Sequence, residues 1–456
     1  MTEEEALLEN GDEASWNHEV QMLRQRKQRS RTVAAIILAR TLFAFFLFWL
    51  VFQYILPSTP KTLTEKARVE LKSHVLFEEG VPKISRKEFL GRQKKLATVL
   101  SKAGVDAFIA EPSPSTAYYT NVSSDFDLSE RPFLIIITAT GEFAYLAPKF
   151  ELGRIATLQM VSDKTKVIEW QEEESPFGVL KKEMGFKSVM LDEHARFFIA
   201  SGLKKTGMEV VDMSREVQGL RAVKSHDEVM ILRAVNEFTL HVVQALAKHI
   251  SVGDTAADIM QAARTLFNLG GTEVGDGVWA IILFGEEAAN PHGGANGRKL
   301  REGEFVLIDI GTSLWGYGSD VTRTFVPQGS KVSEELLGVW WTVYAAQTAA
   351  IMLMRNNKTC SVVDGASRKV IANSGFGEFY THRLGHGLGL EMHEHPYLNG
   401  ANPEKLEGIY VTAKQARTLK LKIEEGFGIR LEDPILVTEE GPLLMTGARA
   451  QGPYQP

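Results

Sequence analysis

Cysteine is all but missing: Cys360 is the single thiol in 456 residues. One thiol closes no intrachain disulfide and builds no cysteine-based zinc cluster, so cysteine usage is silent about the redox compartment. An excess of positive charge is missing too. With 51 Lys and Arg against 57 Asp and Glu, the net charge is −6 and the pI is near 6.1. That balance argues against a nucleic-acid binder, which usually presents a basic face. No segment repeats at the spacing of a solenoid or propeller. What remains is a globular composition, 44% hydrophobic and 24% charged, on a chain long enough for two folded units.

Long, nearly uncharged apolar runs are scarce as well, with one exception. Residues 1 to about 23 are polar and acidic (Glu3, Glu4, Glu5, Glu9, Asp12, Glu13, Glu19) and read as a solvated tail. A basic run follows, Arg24, Arg26, Lys27, Arg29 and Arg31, and abuts an apolar segment of 24 residues, Val33 to Leu56. That length crosses a hydrocarbon core of about 30 Å at about 1.5 Å per residue. Arg40 sits near the tail-side end, where it can snorkel to the headgroups. Trp49 and Tyr54 suit the far interface. The segment is too long, too aromatic and too far from the start for a cleaved signal peptide. The basic flank predicts a single-pass type II arrangement, with residues 1–32 as a cytoplasmic tail and everything after 56 lumenal or extracellular. Two sequons, Asn121-Val-Ser123 and Asn357-Lys-Thr359, fall on the far side.

Residues 57–85 carry prolines, lysines and mixed charge with little periodicity, and read as a stalk. From Arg86, helical spacing of Phe89, Leu96, Val99 and Leu100 runs to a stop at Gly104. Short strands are predicted at 105–110, 133–137, 143–147, 189–191 and 210–211, between helical pieces, which makes 86–215 an α/β domain. It shows no chemistry, and its His194 reads as having no nearby partner of ligand type. A second domain, 216–456, opens with helices over 227–249 and 256–269. It carries a long apolar helix over 334–355, whose Trp340, Trp341 and Tyr344 read as core.

The centre of that domain is Phe305-Val-Leu-Ile-Asp-Ile-Gly311 followed by Tyr317-Gly-Ser-Asp-Val-Thr-Arg-Thr-Phe-Val326. An apolar run closed by glycine reads as a buried strand, and the alternation from Asp320 as a half-buried one. Joined by the glycine-rich stretch between them, they make a hairpin carrying Asp309 and Asp320. Two carboxylates on one poorly solvated face repel, unless one is protonated or cations sit between them. Hard divalent ions favour oxygen ligands, so a metal pair is one solution. Four of the eleven histidines, His382, His386, His393 and His395, crowd into one segment, with Gly385, Gly387 and Gly389 around His386. His292 lies in a Pro/Gly loop. Arg430, Glu432 and Asp433 lie in a strand-like stretch running to Val437. Two Asp, a glycine-bracketed His and a strand Glu form an oxygen-rich set suited to manganese, cobalt, iron or zinc.

On these motifs the chain resembles metallopeptidase family M24, that of aminopeptidase P, prolidase and methionine aminopeptidase. The resemblance rests on Asp309 with Asp320, on Gly-His386-Gly with His393, and on Ile-Arg-Leu-Glu432-Asp. It implies a pita-bread catalytic domain over 216–456, a creatinase-type N-terminal α/β domain over 86–215, and an α/β (α+β) fold class behind one transmembrane helix. It implies two divalent metal ions, Mn2+ in the first place, held by Asp309, Asp320, His386, Glu407 and Glu432. His393 would stabilise the oxyanion, His292 and His382 would steer substrate and protons, and Arg430 would orient ligands. The implied activity is hydrolysis of Xaa-Pro bonds. Expected partners are peptides with proline second, the membrane through 33–56, and a second copy as a homodimer; nucleic acid is not expected.

One stretch departs from the family pattern. The remaining glutamate should stand in a strand ending Glu-Pro-Gly-Ile-Tyr, but the chain reads Glu404-Lys-Leu-Glu-Gly-Ile-Tyr-Val411. The proline and the preceding strand are missing. Glu407 is the best match and Glu424 a distant substitute. That loss keeps open a non-catalytic relative serving as a binding or scaffold protein. A creatinase-like amidinohydrolase acting on a non-peptide amide is the third reading.

Overall fold

The computed structural model describes residues 13–55, 62–71, 80–271, 277–290, 293, 297–406, 410–414 and 426–456. They form two units, 1–62 and 63–456. In the first, α1 (Glu13–Ile55) is a single helix of 43 residues. The tail expected to be solvated is therefore helical from Glu13. Its Glu, Gln, Lys and Arg are good helix formers even without an apolar stripe. Val20–Trp49 is long and apolar enough to cross a membrane. Phe43, Phe45 and Phe48 are more than half exposed. The hydroxyls of Thr32 and Thr41 donate back to the carbonyls of Gln28 and Ile37 at 2.9 and 2.8 Å, so neither needs water.

The second unit begins with α2 (Leu63–Leu71), inside the stretch read as a stalk. Ala67 and Leu71, four residues apart, are fully buried in a core shared with Phe238, Val242 and Leu266. Two buried positions in nine residues are too few to show as a period. Leu71→Ala should cost about 2–5 kcal/mol, read as a lowered denaturation midpoint of the full chain; an unchanged midpoint would restore the stalk.

The N-terminal domain follows. Helix α3 (Arg86–Ala103) is capped by Ser85 and ended by Gly104 at φ 68°, a left-handed conformation that glycine adopts without strain. Next come β1 (Ala107–Ala110), α4 (Pro114–Thr120), β2 (Leu134–Thr138), β3 (Phe143–Pro148), β4 (Thr165–Trp170), α5 (Pro176–Met184), β5 (Ser188–Leu191), α6 (Phe197–Lys205), β6 (Glu209–Asp212) and α7 (Arg215–Ala222). They build a mixed sheet in the order β4-β3-β2-β1-β5-β6. Strand β4 was not predicted, because it is an edge strand with its first three residues exposed.

The C-terminal domain opens with α8 (His226–Ala247), whose Ser225 and Glu228 form a capping box, and α9 (Ala256–Phe267). Then come β7 (Trp279–Phe284), β8 (Val306–Gly311), β9 (Ser313–Leu314), β10 (Tyr317–Gly318) and β11 (Val321–Phe325). They are followed by α10 (Glu334–Leu353), α11 (Cys360–Asn373), β12 (Gly385–Gly387), β13 (Glu394–Leu398), β14 (Tyr410–Lys414), β15 (Glu432–Val437) and β16 (Pro442–Leu444). The large sheet runs β13-β12-β14-β15-β11-β8-β7, with β16 beside β15. Helices α8 and α9 pack their apolar faces on β7, β8 and β11. Helices α8 and α10 also have the length and composition of a membrane span, yet both pack within this domain. Trp340 is buried as expected and donates Nε1–H to the Thr324 carbonyl at 2.7 Å, whereas Trp341 is 46% exposed.

Candidate metal centre

The hairpin forms, with Asp309 of β8 opposite Thr322 of β11 and Ile310 opposite Val321. Asp320, two residues before Thr322, therefore shares the Asp309 face on the diagonal. Between the strands, β9 and β10 make a smaller hairpin turning at Trp315 and Gly316, at φ 50° and 85°. Two left-handed residues in a two-residue loop match the twist of the flanking strands. At Gly311 a Cβ would lie 1.9 Å from the Ser319 carbonyl oxygen, so only glycine lets the chain close here. Helix α8 fixes the returning segment. The Asp320 amide donates to Asn236 Oδ1 at 3.1 Å, and Thr239 and Ser319 share a hydroxyl hydrogen bond of 2.7 Å. Neither Asn236 nor Thr239 was singled out from sequence. Both are buried on the helix among Leu232, Val235, Leu240 and Val243.

His386 enters from β12, next to β13 on one side and β14 on the other. A Cβ at Gly387 would come within 2.3 Å of the His395 carbonyl oxygen, so glycine is needed beside it. His386 Nδ1 lies 3.0 Å from the Gly387 carbonyl oxygen. A carbonyl can only accept, so Nδ1 carries the proton and Nε2 presents its lone pair. That Nε2 stands 3.5 Å from Asp320 Oδ2 and 3.9 Å from Glu432 Oε1. Glu432, on β15, accepts from the Thr322 hydroxyl through Oε2 at 2.8 Å, which turns Oε1 toward the histidine. Ligand atoms of Asp320, His386 and Glu432 lie within 4.8 Å of one another, and all three residues are buried.

Asp309 borders this cluster through Arg430, whose Nε is 3.9 Å from Asp309 Oδ2. Burial pulls the Arg430 guanidinium below its usual range, against the opposing fields of Asp309, Glu432 and Asp320. Among the described residues, three buried carboxylates, Asp309, Asp320 and Glu432, lie near the Arg430 guanidinium. Like charges about 4 Å apart repel by roughly 4 kcal/mol at an effective dielectric near 20. An imidazole nitrogen with carboxylate oxygens is a donor set that divalent ions accept. The residues fit a divalent metal.

Behind the site, Arg323 of β11 is fully buried. It donates to Asp433 Oδ1 at 2.6 Å and to the Glu432 carbonyl at 2.9 Å. Gln347 and Thr446 complete the Asp433 carboxylate at 3.0 and 3.1 Å. This pair holds β11 against β15, and with them Asp320 against Glu432.

The other expected site residues fall in three groups. His393 packs on His386, ring centroids 4.2 Å apart and 65° between planes. His382 lies before β12 with Nδ1 2.7 Å from the Arg383 carbonyl, and does not belong to the donor cluster. His292 and Glu407 lie outside the described residues. The strand thought to be lost has a replacement. Strand β14, drawn from residues after Glu407, pairs antiparallel with both β12 and β15. An open gap between two strands leaves backbone groups unpaired, and the following segment fills it. Its pairing sets Thr412 across from His386 and Lys414 across from Glu432, neither of them a carboxylate residue. His194, read as lacking a partner, has Nε2 2.7 Å from Glu391 Oε1 of the other domain.

Comparison with known proteins agrees with this geometry. The pattern of metallopeptidase family M24 matches residues 230–439, and that of the creatinase/prolidase N-terminal domain matches 92–223. An uncharacterized peptidase of Schizosaccharomyces pombe is 41% identical over 387 residues, covering 82% of this chain and 84% of that one. Among solved structures, a dipeptidase of Mycobacterium ulcerans superposes with a TM-score of 0.72 at 26% identity, over 80% of this chain and 98% of its own. A prolidase of Thermococcus sibiricus does so with 0.70 at 25% identity, over 81% and 99%.

Proposed function

Because the chain belongs to metallopeptidase family M24, a family of hydrolytic peptidases that work with paired divalent metals, we propose that it hydrolyses peptide bonds in which proline is the second residue. The observation that carries this reading is the buried cluster of Asp320, His386 and Glu432. Likeness to a prolidase supports the choice of bond. Asp309, Asp320, His386 and Glu432 would hold the two divalent metals, Mn2+ by preference, with Asp309 beside Arg430. When bound, the metals would supply Lewis-acid polarisation of the scissile carbonyl.

The chain's own side chains do the rest. The Gly387 carbonyl keeps His386 in the tautomer whose Nε2 faces the carboxylates. Arg430 offsets part of their charge and orients Asp309. His393, packed on His386, donates a hydrogen bond to the developing oxyanion of the substrate. The direct test offers the purified full chain an Arg-Pro-Pro peptide and its Arg-Ala-Pro counterpart, with Mn2+ present. Release of arginine from the first alone is expected. Equal cleavage of both, or hydrolysis of creatine instead, removes the proline reading.

We further propose that α1 anchors the catalytic domain on the lumenal or extracellular side. Asn121 and Asn357, at the head of the two sequons, occupy exposed left-handed turn positions. In eukaryotic membranes the full chain should lose mass on glycosidase treatment, and Asn121→Gln with Asn357→Gln should abolish the shift. Protease cleavage of the catalytic domain from the cytosolic side of sealed vesicles would contradict this orientation.

A further inference from the structure

The segment between β12 and β13 carries His393, and two carboxylates bracket it, Glu391 and Glu394. Both are gripped from outside the catalytic domain's own sheet. Arg221, at the end of α7 and 6% exposed, makes ion pairs with Glu391 and, at 3.1 Å, with Glu394. Lys224, between the domains and almost wholly buried, reaches Glu394 at 2.5 Å. Arg221 also donates to the Ser115 hydroxyl at 3.1 Å, and Ser115 donates to Asp192 at 2.7 Å. Its fork is thus braced on the N-terminal domain, at α4 and the end of β5. Glu394 is folded so tightly beneath Gly389 that a Cβ there would lie 2.5 Å from a carboxylate oxygen.

This is more than adhesion between domains. Buried ion pairs are a costly way to gain stability, because each ion loses its water; what they fix well is geometry. The gripped segment has little regular structure between Gly387 and Glu394, so its shape needs restraint from elsewhere. The two carboxylates stand two residues before and one residue after His393. We propose that Arg221 and Lys224 are positioning residues for His393: through Glu391 and Glu394 they hold its ring against His386. This rests on the peptidase reading of the site, in which His393 touches substrate.

His194 adds a titrating member. Its hydrogen bond to Glu391 raises its pKa above the ordinary histidine value, with Asp192 and Glu193 adding to the pull and burial opposing it. Burial pushes Glu391 up, but His194 and Arg221 outweigh it and hold Glu391 at about 2. The histidine's contribution is complete below its unfolded pKa and fades as pH rises through the raised one. The carboxylate's contribution is complete above the ordinary range and fades as pH falls toward 2. The grip is firmest in mildly acid solution.

The test uses the full chain in detergent, comparing Arg221→Met, Arg221→Lys and Glu391→Gln with wild type. Arg221→Met should keep its metal content and a KM within about twofold. Its kcat should fall roughly ten- to a hundredfold, the scale of a misplaced catalytic group. Amide hydrogen exchange over residues 388–396 should rise several-fold, and Arg221→Lys should recover part of both losses. Glu391→Gln leaves the buried cations in place, so it serves if Arg221→Met fails to fold; it should shift both readouts in the same direction but less. Wild-type kcat and wild-type exchange in a folded variant overturn the proposal. If the wild-type chain cleaves no proline peptide, the functional reading fails, and exchange over 388–396 still decides whether Arg221 holds the segment.

Discussion

His386→Ala will lower the divalent-metal content the protein can hold and cut kcat/KM by at least about a thousandfold, some 4 kcal/mol of transition-state stabilisation. The size follows from the geometry. His386 is the nitrogen donor in a cluster whose other members are carboxylates, and Nε2 lies within 4 Å of both Asp320 and Glu432. Alanine removes that donor and leaves the acidic cluster around a void. Asp320→Asn and Glu432→Gln should follow the same course, because each removes a charge that draws the cation in. Thr322→Val should be milder. It releases Glu432 Oε2 from a 2.8 Å hydrogen bond without removing a ligand, so KM and kcat move less than metal affinity does. Metal content by mass spectrometry, beside peptide kinetics, reads both quantities on one preparation. Full metal occupancy in His386→Ala would sink the assignment.

Arg323→Met will destabilise the catalytic domain by about 3–5 kcal/mol, the cost of stranding one partner of a buried ion pair. That is a large share of the roughly 5–15 kcal/mol that holds a typical domain folded. Arg323 and Asp433 are both buried, and the guanidinium also carries the carbonyls of Thr322, Glu432 and Ala448. Methionine fills much of the volume but donates nothing. Asp433 keeps Gln347 and Thr446 and loses its counter-charge. The denaturant midpoint of the full chain should fall, and metal affinity with it, because β11 and β15 carry the segments that present Asp320 and Glu432. A midpoint within about 0.5 kcal/mol of wild type, the range of neutral surface changes, would mean the pair is not what holds those strands.

Much of the centre was readable from the residues. Asp309 in an apolar run, Asp320 at the head of an alternating one and the glycines between them predicted the hairpin, because the period of a strand decides which face each side chain takes. Glycine on both sides of His386 marked a close approach, and the structure shows Gly387 against the His395 carbonyl. What could not be read was contact at long range. Asn236 and Thr239 looked like ordinary interruptions of a helix until the hairpin lay against them. Arg323 falls on the same face of its strand as Val321 and Phe325, and only the fold shows that Asp433 meets it there. His194 meets Glu391 across the two domains, a contact that its own stretch of sequence does not show. Helix α2 and strand β4 were missed for a local reason: one is too short and the other too exposed for hydrophobic periodicity to show. The stretch after Glu404 misled in another way. Tyr410–Lys414 forms the strand between β12 and β15, where the departure from the family pattern had left one in question.

The most direct measurement loads the full chain with Mn2+ and records electron spin-echo modulation from nitrogen coordinated to the ion. The account predicts an imidazole nitrogen signal in the wild-type protein that vanishes in His386→Ala and persists in His382→Ala. A signal unchanged in His386→Ala, or a wild-type chain that binds no Mn2+, would contradict it.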